Sequence, residues 1–319
     1  MRTFFIYPNL RKQSAREILP SVCERLRGRD IRLILPNQMR GTMHALHDEV
    51  MALDYMDTAE AVRIADAAVV LGGDGTMLRI ARAAAQNELP LLGINVGHVG
   101  FMTELEPAEL DKMQALLEGD YQLDSRMMLH VEVERHGRRA YENDALNDIV
   151  IAKGTAFRVV RVGISADGEE VTRFNGDGVI AATPTGSTAY GLSAGGPVIE
   201  PSAENLAVIP ICAHALAAKS FVFAPERSVS ITAACEGGSE VFISADGGTG
   251  FAEKTRQDQH GGHEKQPLSC HAEKHRAQRQ TQILHHHVAE RNKGNKRKGH
   301  TLPAQRRCAD LDDRRIVAK

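Results

Sequence analysis

The sequence lacks any long apolar run. No stretch of about 18 apolar residues, the usual minimum for a membrane-spanning helix, occurs among its 319 residues. The apolar stretch before Pro8 is too short for the hydrophobic core of a secretory signal. We therefore expect a soluble, cytoplasmic protein that has no membrane partner.

Cysteine is also scarce. The five cysteines are an odd number, lie far apart and include no C-x-x-C pair. This spacing is typical of neither a disulfide framework nor a zinc or redox motif. We interpret all of them as free thiols, and the sequence assigns no metal-ligating residue.

Aromatic residues are missing from the last part of the chain, where the charge also changes sign. Residues 1–251 hold 23 Lys or Arg and 33 Asp or Glu, a net charge of −10, whereas residues 252–319 hold 16 and 8, a net of +8. Only 17 of the 68 residues in 252–319 are apolar. So few apolar residues can scarcely form a core, and we expect a disordered or poorly packed tail. Without aromatic rings to stack on bases, no nucleic-acid partner is expected.

The amino-terminal part alternates short apolar runs with helical periodicity, which is typical of a parallel sheet flanked by helices. Strands are predicted at Thr3–Tyr7, Ile31–Leu35, Ala67–Leu71 and Leu91–Asn95. Helices are predicted to start at a Ser14–Glu17 capping box, to run from Thr76 to Gln86, and to run from Pro107 to Leu117.

From Arg126 the periodicity changes to two. Leu129, Val131 and Val133 alternate with polar residues, as in a half-buried antiparallel strand. Turn dipeptides follow between strand-like runs, at His136–Gly137, Asp167–Gly168 and Gly237–Gly238. The expected organisation is an α/β nucleotide-binding domain at 1–125, a β-rich, sandwich-like domain at 126–251 and the tail at 252–319.

A glycine-rich loop, LGGDGTML at Leu71–Leu78, lies between a predicted strand and a predicted helix. Glycines let backbone N–H groups approach phosphate oxygens, and the helix amino terminus adds partial positive charge. Asp74 could orient or deprotonate a hydroxyl, or hold Mg²⁺. The alternative is an Asp-Gly tight turn without a ligand.

Two better-known nucleotide loops are excluded here. A G-x-G-x-x-G dinucleotide fingerprint would need glycine where the chain has Leu78. A Walker A loop needs a lysine after its second glycine, and no suitable glycine is followed by one. Neither a standard dehydrogenase nor a P-loop NTPase is therefore supported.

Two further polar elements follow predicted strands or precede apolar runs. Gly93–Phe101 (GINVGHVGF) puts Asn95 at the carboxyl end of a strand, where ligands bind in open α/β sheets. Its alternative is a strand exit in which Phe101 folds back into the core. Asn147 and Asp148 offer an amide and a carboxylate suited to an adenine edge or ribose hydroxyls, or they form a turn into a strand.

The most specific segment is Gly176–Pro201, GDGVIAATPTGSTAYGLSAGGPVIEP. It concentrates glycines and small hydroxyl residues around one aromatic residue, Tyr190. Backbone amides, hydroxyls and a stacking ring are what a nucleotide site needs. A buried crossover could also use small residues for close packing.

These four elements, in this order and spacing, resemble the NAD kinase family. The resemblance implies an α/β domain followed by a β-rich domain, with the substrate between them, and phosphorylation of the 2′-hydroxyl of NAD's adenosine ribose. It implies ATP as phosphoryl donor, Mg²⁺ or another divalent cation, and a homodimer or homotetramer. It assigns catalysis to Asp74. The implied binding residues are Gly73, Asp74, Gly75, Phe101, Asn147, Asp148, Arg158, Asp177, Thr185, Thr188, Ala189, Tyr190, Gly191, Leu192 and Ser193.

The chain departs from the family pattern near its second Asp-Gly pair. Gly248 follows Asp246–Gly247 where family members usually have Gln, and a polar, His-rich sequence stands in place of the expected apolar strands beyond Phe251. This sequence resembles the product of a reading-frame shift.

Two alternative functions remain open. One is a catalytically impaired nucleotide-binding protein of the same family that lacks the final strands. The other is a different GGDGT kinase, such as a lipid kinase, which would lack TPTGSTAY.

Overall fold

A computed structural model describes most of the chain up to residue 286. The described residues are 1–28, 30–40, 53–97, 100–135, 138–154, 159–214, 218–235, 240–248, 250–254, 268–274 and 280–286. They belong to one unit, Met1–His287. None of the helices in these ranges is long and apolar enough to cross a membrane.

The described residues form strands and short helices in the order that the periodicity predicts, with an α/β part before a β-rich part. The strands are β1 Thr3–Pro8, β2 Arg32–Pro36, β3 Asp54–Met56, β4 Ala67–Gly72, β5 Leu91–Asn95, β6 Tyr121–Met127, β7 Leu129–Arg135, β8 Arg138–Ala145, β9 Asp148–Lys153, β10 Val160–Ala166, β11 Glu169–Gly176, β12 Gly178–Ala182, β13 Leu206–Ile211, β14 Phe221–Phe223, β15 Val229–Cys235, β16 Glu240–Ala245, β17 Phe251–Lys254, β18 Leu268–Lys274 and β19 Gln280–His286. The α-helices are α1 Gln13–Arg25, α2 Thr58–Ile64, α3 Asp74–Gln86, α4 Gln114–Glu118 and α5 Tyr190–Ser193.

The first sheet has the order β3-β2-β1-β4-β5-β19-β6, and its first five strands are parallel. The four predicted strands are confirmed, each to within a residue at either end. β4 and β5 are buried along their whole length, because helices cover both faces of the sheet. A parallel α/β sheet is thus confirmed.

The strand order reverses between β1 and β4. The chain runs from β1 outward through β2 to β3, then returns to place β4 and β5 on the other side of β1. Helix α1 packs in the cluster with Phe4 and Ile6, whereas α3 packs with Phe5 on the opposite face. Such a reversal opens a crevice at the carboxyl ends of the two central strands. The loops after β1 and β4 meet there, because the Asn9 N–H donates to the Leu71 carbonyl oxygen at 2.8 Å.

The predicted capping box at the start of α1 is wrong. The helix begins at Gln13 without a side-chain cap. The Ser14 hydroxyl instead donates to the Val96 carbonyl oxygen at 2.7 Å, because α1 packs against the loop after β5. Helix α3 likewise begins two residues before the predicted Thr76, since Gly73 takes the N-cap position. The predicted Pro107–Leu117 helix consists of a 3₁₀ helix at Pro107–Met113 followed by α4.

The β-rich part consists of two six-stranded sheets, β11-β10-β15-β18-β7-β8 and β14-β13-β12-β9-β16-β17. Leu129, Val131 and Val133 are fully buried in the apolar cluster between the sheets, which confirms the period of two. The predicted turn at Asp167–Gly168 is also confirmed, since both residues have positive φ, 51° and 87°, between β10 and β11. The predicted turns at His136–Gly137 and Gly237–Gly238 lie outside the described residues.

Strands also form beyond Phe251, where the composition predicts none. β18 pairs with β7 and β15, and β19 pairs with β6 and touches β5. Residues 268–274 and 280–286 therefore form paired strands, which the expectation for the tail did not include. Composition averaged over the tail conceals the alternation of Leu268, Cys270 and Ala272. The remainder of the tail, beyond β17, lies outside the described residues, and the reading-frame shift stays a prediction.

Replacing the buried Ile283 by alanine tests whether β19 packs as described. Ile283 is 0% exposed and lies in the cluster that contains helix α3. We expect Ile283→Ala to lower the free energy of unfolding by about 2–4 kcal/mol, through lost burial and a residual cavity. Leu123→Ala on the neighbouring strand is the control, because Leu123 is 48% exposed and its loss should cost about 1 kcal/mol or less. Equal, small losses for both variants in urea denaturation would show that β19 does not pack.

Candidate active site

The Asp74 carboxylate is fixed at the start of α3 by the loop that follows β5. Its Oδ2 accepts a hydrogen bond from the Phe101 N–H at 2.9 Å, and its Oδ1 accepts one from the Met102 N–H at 3.2 Å. Each oxygen keeps a further lone pair for a ligand. The carboxylate is thus oriented by backbone before any ligand binds, which a free Asp-Gly turn would not provide.

The glycines around Asp74 are required by close approaches. A Cβ at Gly72 would collide with the Thr76 side chain, and a Cβ at Gly100 would collide with Asp74 Oδ1. Gly75, by contrast, has no neighbouring heavy atom within 4 Å of a built Cβ. The loop therefore packs tightly against its neighbours at Gly72 and Gly100, whereas the space beside Gly75 is open, as a phosphate-binding loop requires.

Phe101 does not fold back into the core. Its side chain is 70% exposed, although its backbone N–H is bound to Asp74. Nearby, Asn95 ends β5 and its Oδ1 accepts a hydrogen bond from the Gly97 N–H at 3.1 Å. The structure therefore excludes the purely structural alternative for Phe101 and leaves an apolar ring available beside the Asp74 carboxylate.

Asn147 and Asp148 are held by a second carboxylate, that of Asp246. The Asp246 side chain accepts hydrogen bonds from the N–H groups of Leu146, Asn147 and Asp148 at 2.8, 2.7 and 3.2 Å. Asp246 itself has a positive φ of 49° at the turn after β16. Three consecutive N–H groups thus donate to one carboxylate, and these hydrogen bonds fix the backbone at the start of β9.

Burial raises the pKa values of the two carboxyl groups in this part of the site, those of Asp148 and Asp246. Burial, and to a smaller extent the nearby Asp246 carboxylate, raise the pKa of Asp148 to about 7. Burial also raises the pKa of Asp246, although the three N–H donors offset part of that rise. The buried Oδ1 of Asn147 has no hydrogen-bond partner in the described structure. A buried acceptor without a partner is costly, so a ligand donor at this point would remove a penalty.

The TPTGST turn packs directly on these residues. The Thr183 hydroxyl donates to the Leu146 carbonyl oxygen at 2.6 Å and accepts the Gly186 N–H at 3.0 Å. A Cβ at Gly186 would collide with the Asn147 carbonyl oxygen. The structure therefore brings Thr185, within this turn, next to the Asn147–Asp148 pair.

The segment that follows turns toward solvent. Tyr190 and Leu192 are 44% and 46% exposed, and Ser193 is exposed beside them in α5. Thr188 and Ala189 are half-buried at the start of this segment, and Gly191 is buried against Ile209. These residues continue from the buried turn to the surface, where they are accessible to a ligand.

One predicted site residue lies apart from this group. Asp177 lies at the opposite end of β12 from Thr183, where its carboxylate forms an ion pair with Lys153 at 2.6 Å. Five residues of extended strand separate the two ends, roughly 17 Å. Arg158 lies outside the described residues.

The two halves of the site share one buried apolar cluster. Met77 of α3, Met102 of the loop after β5 and Leu146 before β9 all belong to it and are at most 3% exposed. Each of these residues is close in sequence to a site residue: Asp74, Phe101 and Asn147. The cluster therefore sets the distance between the glycine loop and the Asn147–Asp148 pair.

Sequence reasoning missed two residues that position the site. Asp246 holds the Asn147–Asp148 pair, and its signal was the Asp-Gly dipeptide after a strand. Arg126 is 8% exposed, forms an ion pair with Asp124 at 2.6 Å and donates to Thr185 Oγ1 at 3.4 Å. No local pattern marks Arg126, because its partner lies 59 residues away.

Comparison with known proteins identifies the family. The family of the ATP-NAD kinase N-terminal domain matches residues 4–121, and that of the ATP-NAD kinase C-terminal domain matches residues 146–266. The NAD kinase of Syntrophotalea carbinolica is 37% identical over 253 residues, which cover 79% of this chain and 86% of that protein. The chain belongs to the NAD kinase family.

Other NAD kinases match over shorter spans. The NAD kinase of Symbiobacterium thermophilum is 46% identical over 58% of this chain and 66% of its own length. That of Aromatoleum aromaticum is 51% identical over 49% of this chain and 52% of its own length. These alignments thus span about half to two thirds of those relatives.

Solved structures of NAD and NADH kinases have a similar fold. Yeast NADH kinase complexed with NADH superposes with a TM-score of 0.77 at 22% identity, covering 89% of this chain and 83% of that chain. An Archaeoglobus fulgidus NAD kinase in complex with ATP gives a TM-score of 0.62 at 25% identity, covering 90% and 94%. The fold of this NAD kinase family member therefore agrees with the α/β and β-rich parts expected from its sequence.

The raised pKa of Asp148 predicts a specific dependence of stability on pH. Because the folded state binds this proton more tightly than the unfolded chain, the contribution of Asp148 is full below about pH 4 and is lost as the pH rises to about 7. We expect Asp148→Asn to flatten the fall in unfolding free energy across this window and to exceed the parent in stability at alkaline pH. Asp30→Asn, at an exposed position, is the charge-matched control. Parallel pH profiles for parent and Asp148→Asn in denaturant titrations would contradict the assignment.

Proposed function

We propose that this chain is an NAD kinase, which transfers the terminal phosphoryl group of ATP to the 2′-hydroxyl of the adenosine ribose of NAD and forms NADP. The observation that carries the proposal is the Asp74 carboxylate, fixed by two backbone N–H groups beside a helix amino terminus and an exposed Phe101. Family membership supplies the reaction, and this geometry supplies an oriented acceptor for a hydroxyl proton.

The adenosine of NAD would bind across the two halves of the site. Asn147 offers an acceptor that is buried without a partner, and Asp148 lies beside it at the start of β9. The exposed rings of Phe101 and Tyr190 offer apolar faces to the dinucleotide. We propose Gly73, Gly75, Thr185, Thr188, Ala189, Gly191, Leu192 and Ser193 as further contacts, and Asp177 as a more distant one. Arg158 is proposed as a contact of NAD on the family resemblance alone.

In this proposal Asp74 holds the 2′-hydroxyl in line with the donor and takes up its proton. In-line placement matters most, because phosphoryl transfer needs little covalent help from the protein. The N–H groups at the start of α3 face the developing negative charge. The pair formed by Asn147 and Asp148 fixes the ribose, so that the hydroxyl stays within reach of the carboxylate.

The residues at the glycine loop fit a divalent cation held mainly by its nucleotide. Asp74 keeps one lone pair on each oxygen after its backbone hydrogen bonds, so it can accept one water or cation contact. Mg²⁺ favours donor phosphates and water with only one or two carboxylates. When bound, it would neutralise charge on the donor phosphates and so assist transfer.

The alternative of a catalytically impaired nucleotide-binding protein is not favoured. It rests on missing strands at the end of the β-rich domain. β17 pairs with β16, and β18 fills the position between β15 and β7. The homo-oligomeric assembly implied by the family stays a prediction.

Formation of NADP is the direct test. Purified full-length chain, incubated with NAD and Mg-ATP, should give NADP that an NADP-specific dehydrogenase detects, and none should form without ATP. Binding of both nucleotides without NADP would contradict the proposed activity and would favour the impaired alternative.

Removing the Asp74 carboxylate should affect turnover more than binding. We expect Asp74→Asn to lower kcat by about 10² or more, because an amide cannot take up the hydroxyl proton, while the Kd for NAD changes little. Asp120→Asn, at an exposed position outside the loop, is the control. Steady-state rates and calorimetric NAD binding are the measurements. Equal kcat in parent and Asp74→Asn would remove Asp74 from the mechanism.

Removing the Asn147 side chain should have the opposite signature. Asn147→Ala should weaken NAD binding by about 1–3 kcal/mol, because it removes hydrogen bonds to a desolvated ligand. Asn205→Ala is the matched control: it also deletes an asparagine amide, one that donates to the Phe223 carbonyl oxygen away from the site. An unchanged KM for NAD in Asn147→Ala, or an equal rise in both variants, would contradict the assignment.

A further inference from the structure

A lysine lies between the two glycine loops of the site. Lys12 follows β1, and its ammonium group approaches the loops after both β4 and β5. Its Nζ would be 3.9 Å from a Cβ built on Gly73, and a Cβ on Gly97 would collide with it. The absence of a side chain at Gly97 is therefore what lets the ammonium lie against the backbone of that loop, within reach of Gly73.

The position of Lys12 follows from the reversal of strand order. β1 and β4 are adjacent and parallel, so the loops that leave them meet at one edge of the sheet. Besides its backbone contact with Leu71, Asn9 donates through its side chain to Thr76 Oγ1 at 3.5 Å. Lys12 thus enters the crevice in which an open α/β sheet binds its ligands.

The surroundings of the Lys12 ammonium are already electropositive. Lys12 is the N-cap of α1, and Gly73, which it approaches, is the N-cap of α3. Both helix amino termini carry partial positive charge. Within the described part of the chain, no ion pair joins Lys12 to a carboxylate, and the Asp74 carboxylate of the glycine loop accepts backbone N–H groups. A cation held against two helix amino termini without a counter-ion is unfavourable, unless an anion binds between them.

We propose that Lys12 binds the phosphate chain of the phosphoryl donor. A triphosphate brings several negative charges to a point where one ammonium and two helix amino termini converge. A lysine ammonium is a compact charge that suits phosphate oxygens, and its three donors can contact more than one of them. Asp74 then faces the acceptor hydroxyl from one side of the glycine loop, while Lys12 holds the donor from the other.

The assignment of this phosphate chain to the phosphoryl donor rests on the proposed function. Phosphate binding itself, however, can be measured without turnover. The probes are Mg-ATP and inorganic tripolyphosphate, titrated into the full-length chain by calorimetry, with NAD titrated separately. Failure to form NADP while tripolyphosphate binding depends on Lys12 would reject the activity and keep the phosphate site. Loss of activity alone therefore does not decide this inference.

Lys12→Met should weaken binding of Mg-ATP and of tripolyphosphate about tenfold or more, while NAD affinity changes less than about twofold. Arg11→Met is the matched control, because it removes the same charge from the neighbouring, exposed position. It should change phosphate binding less than about twofold. Lys12→Arg should restore most of the affinity by keeping the charge. In turnover, Lys12→Met should raise the KM for ATP and leave the KM for NAD near that of the parent.

A second variant covers the case in which Lys12→Met fails to fold. Gly97→Ala keeps the lysine but forces its ammonium away, and it should weaken tripolyphosphate binding with the charge of the chain unchanged. Equal effects of Lys12→Met and Arg11→Met on phosphate binding would show that Lys12 contributes only its positive charge and no specific contact, which would overturn the proposal. So would weaker NAD binding with Mg-ATP binding intact, or full tripolyphosphate affinity in Gly97→Ala.

Discussion

The packing of Met77, Met102 and Leu146 in one buried cluster is the constraint on which the site depends. These three side chains come from a helix, a loop and the entry to a strand that are far apart in sequence. Each lies close along the chain to a residue that the proposed function uses. Because a buried core is densely packed and deforms little, the cluster holds these site residues at a fixed separation. Apolar burial thus supplies the precision that the proposed reaction between two bound nucleotides requires.

Backbone N–H groups perform much of the remaining positioning. Asp74 and Asp246 are each held by consecutive N–H donors, two in the first case and three in the second. Each contact joins segments that are distant in sequence, so each carboxylate is both a structural link and a charge near the site. The link at Asp246 also brings its charge close to Asp148, which contributes to the raised pKa of that residue. The hydrogen bonds to Asp246 therefore both fix the backbone at Asn147 and Asp148 and place a second carboxylate close to Asp148.

The strands in the carboxyl-terminal part change how the β-rich domain is understood. Without β18, both β7 and β15 would present open edges inside the same sheet, and open edges pair readily with other chains. β19 joins β6, and so the segment that leads into the β-rich part, to the parallel sheet. The composition of the tail does not indicate these roles. A strand of seven residues needs only a few residues that favour strands, together with neighbouring strands that have an unpaired edge.

The sequence by itself determined the fold class, the first strands of the parallel sheet, and the segments that carry the chemistry. Periodicity and glycine-rich spacing are local, and local patterns are sufficient to identify GGDG, Asn147–Asp148 and TPTGSTAY. Tertiary structure decided which segments meet: Asp74 meets the loop that contains Phe101, and Asn147 meets the turn at Thr183 and Gly186, whereas Asp177 lies at the other end of β12. It also decided the contacts of Ser14 and Arg126 and the position of Lys12, because the segments that these residues approach lie far away in sequence. Nothing in a local pattern encodes such contacts, because they exist only once strand order and packing have brought distant segments together.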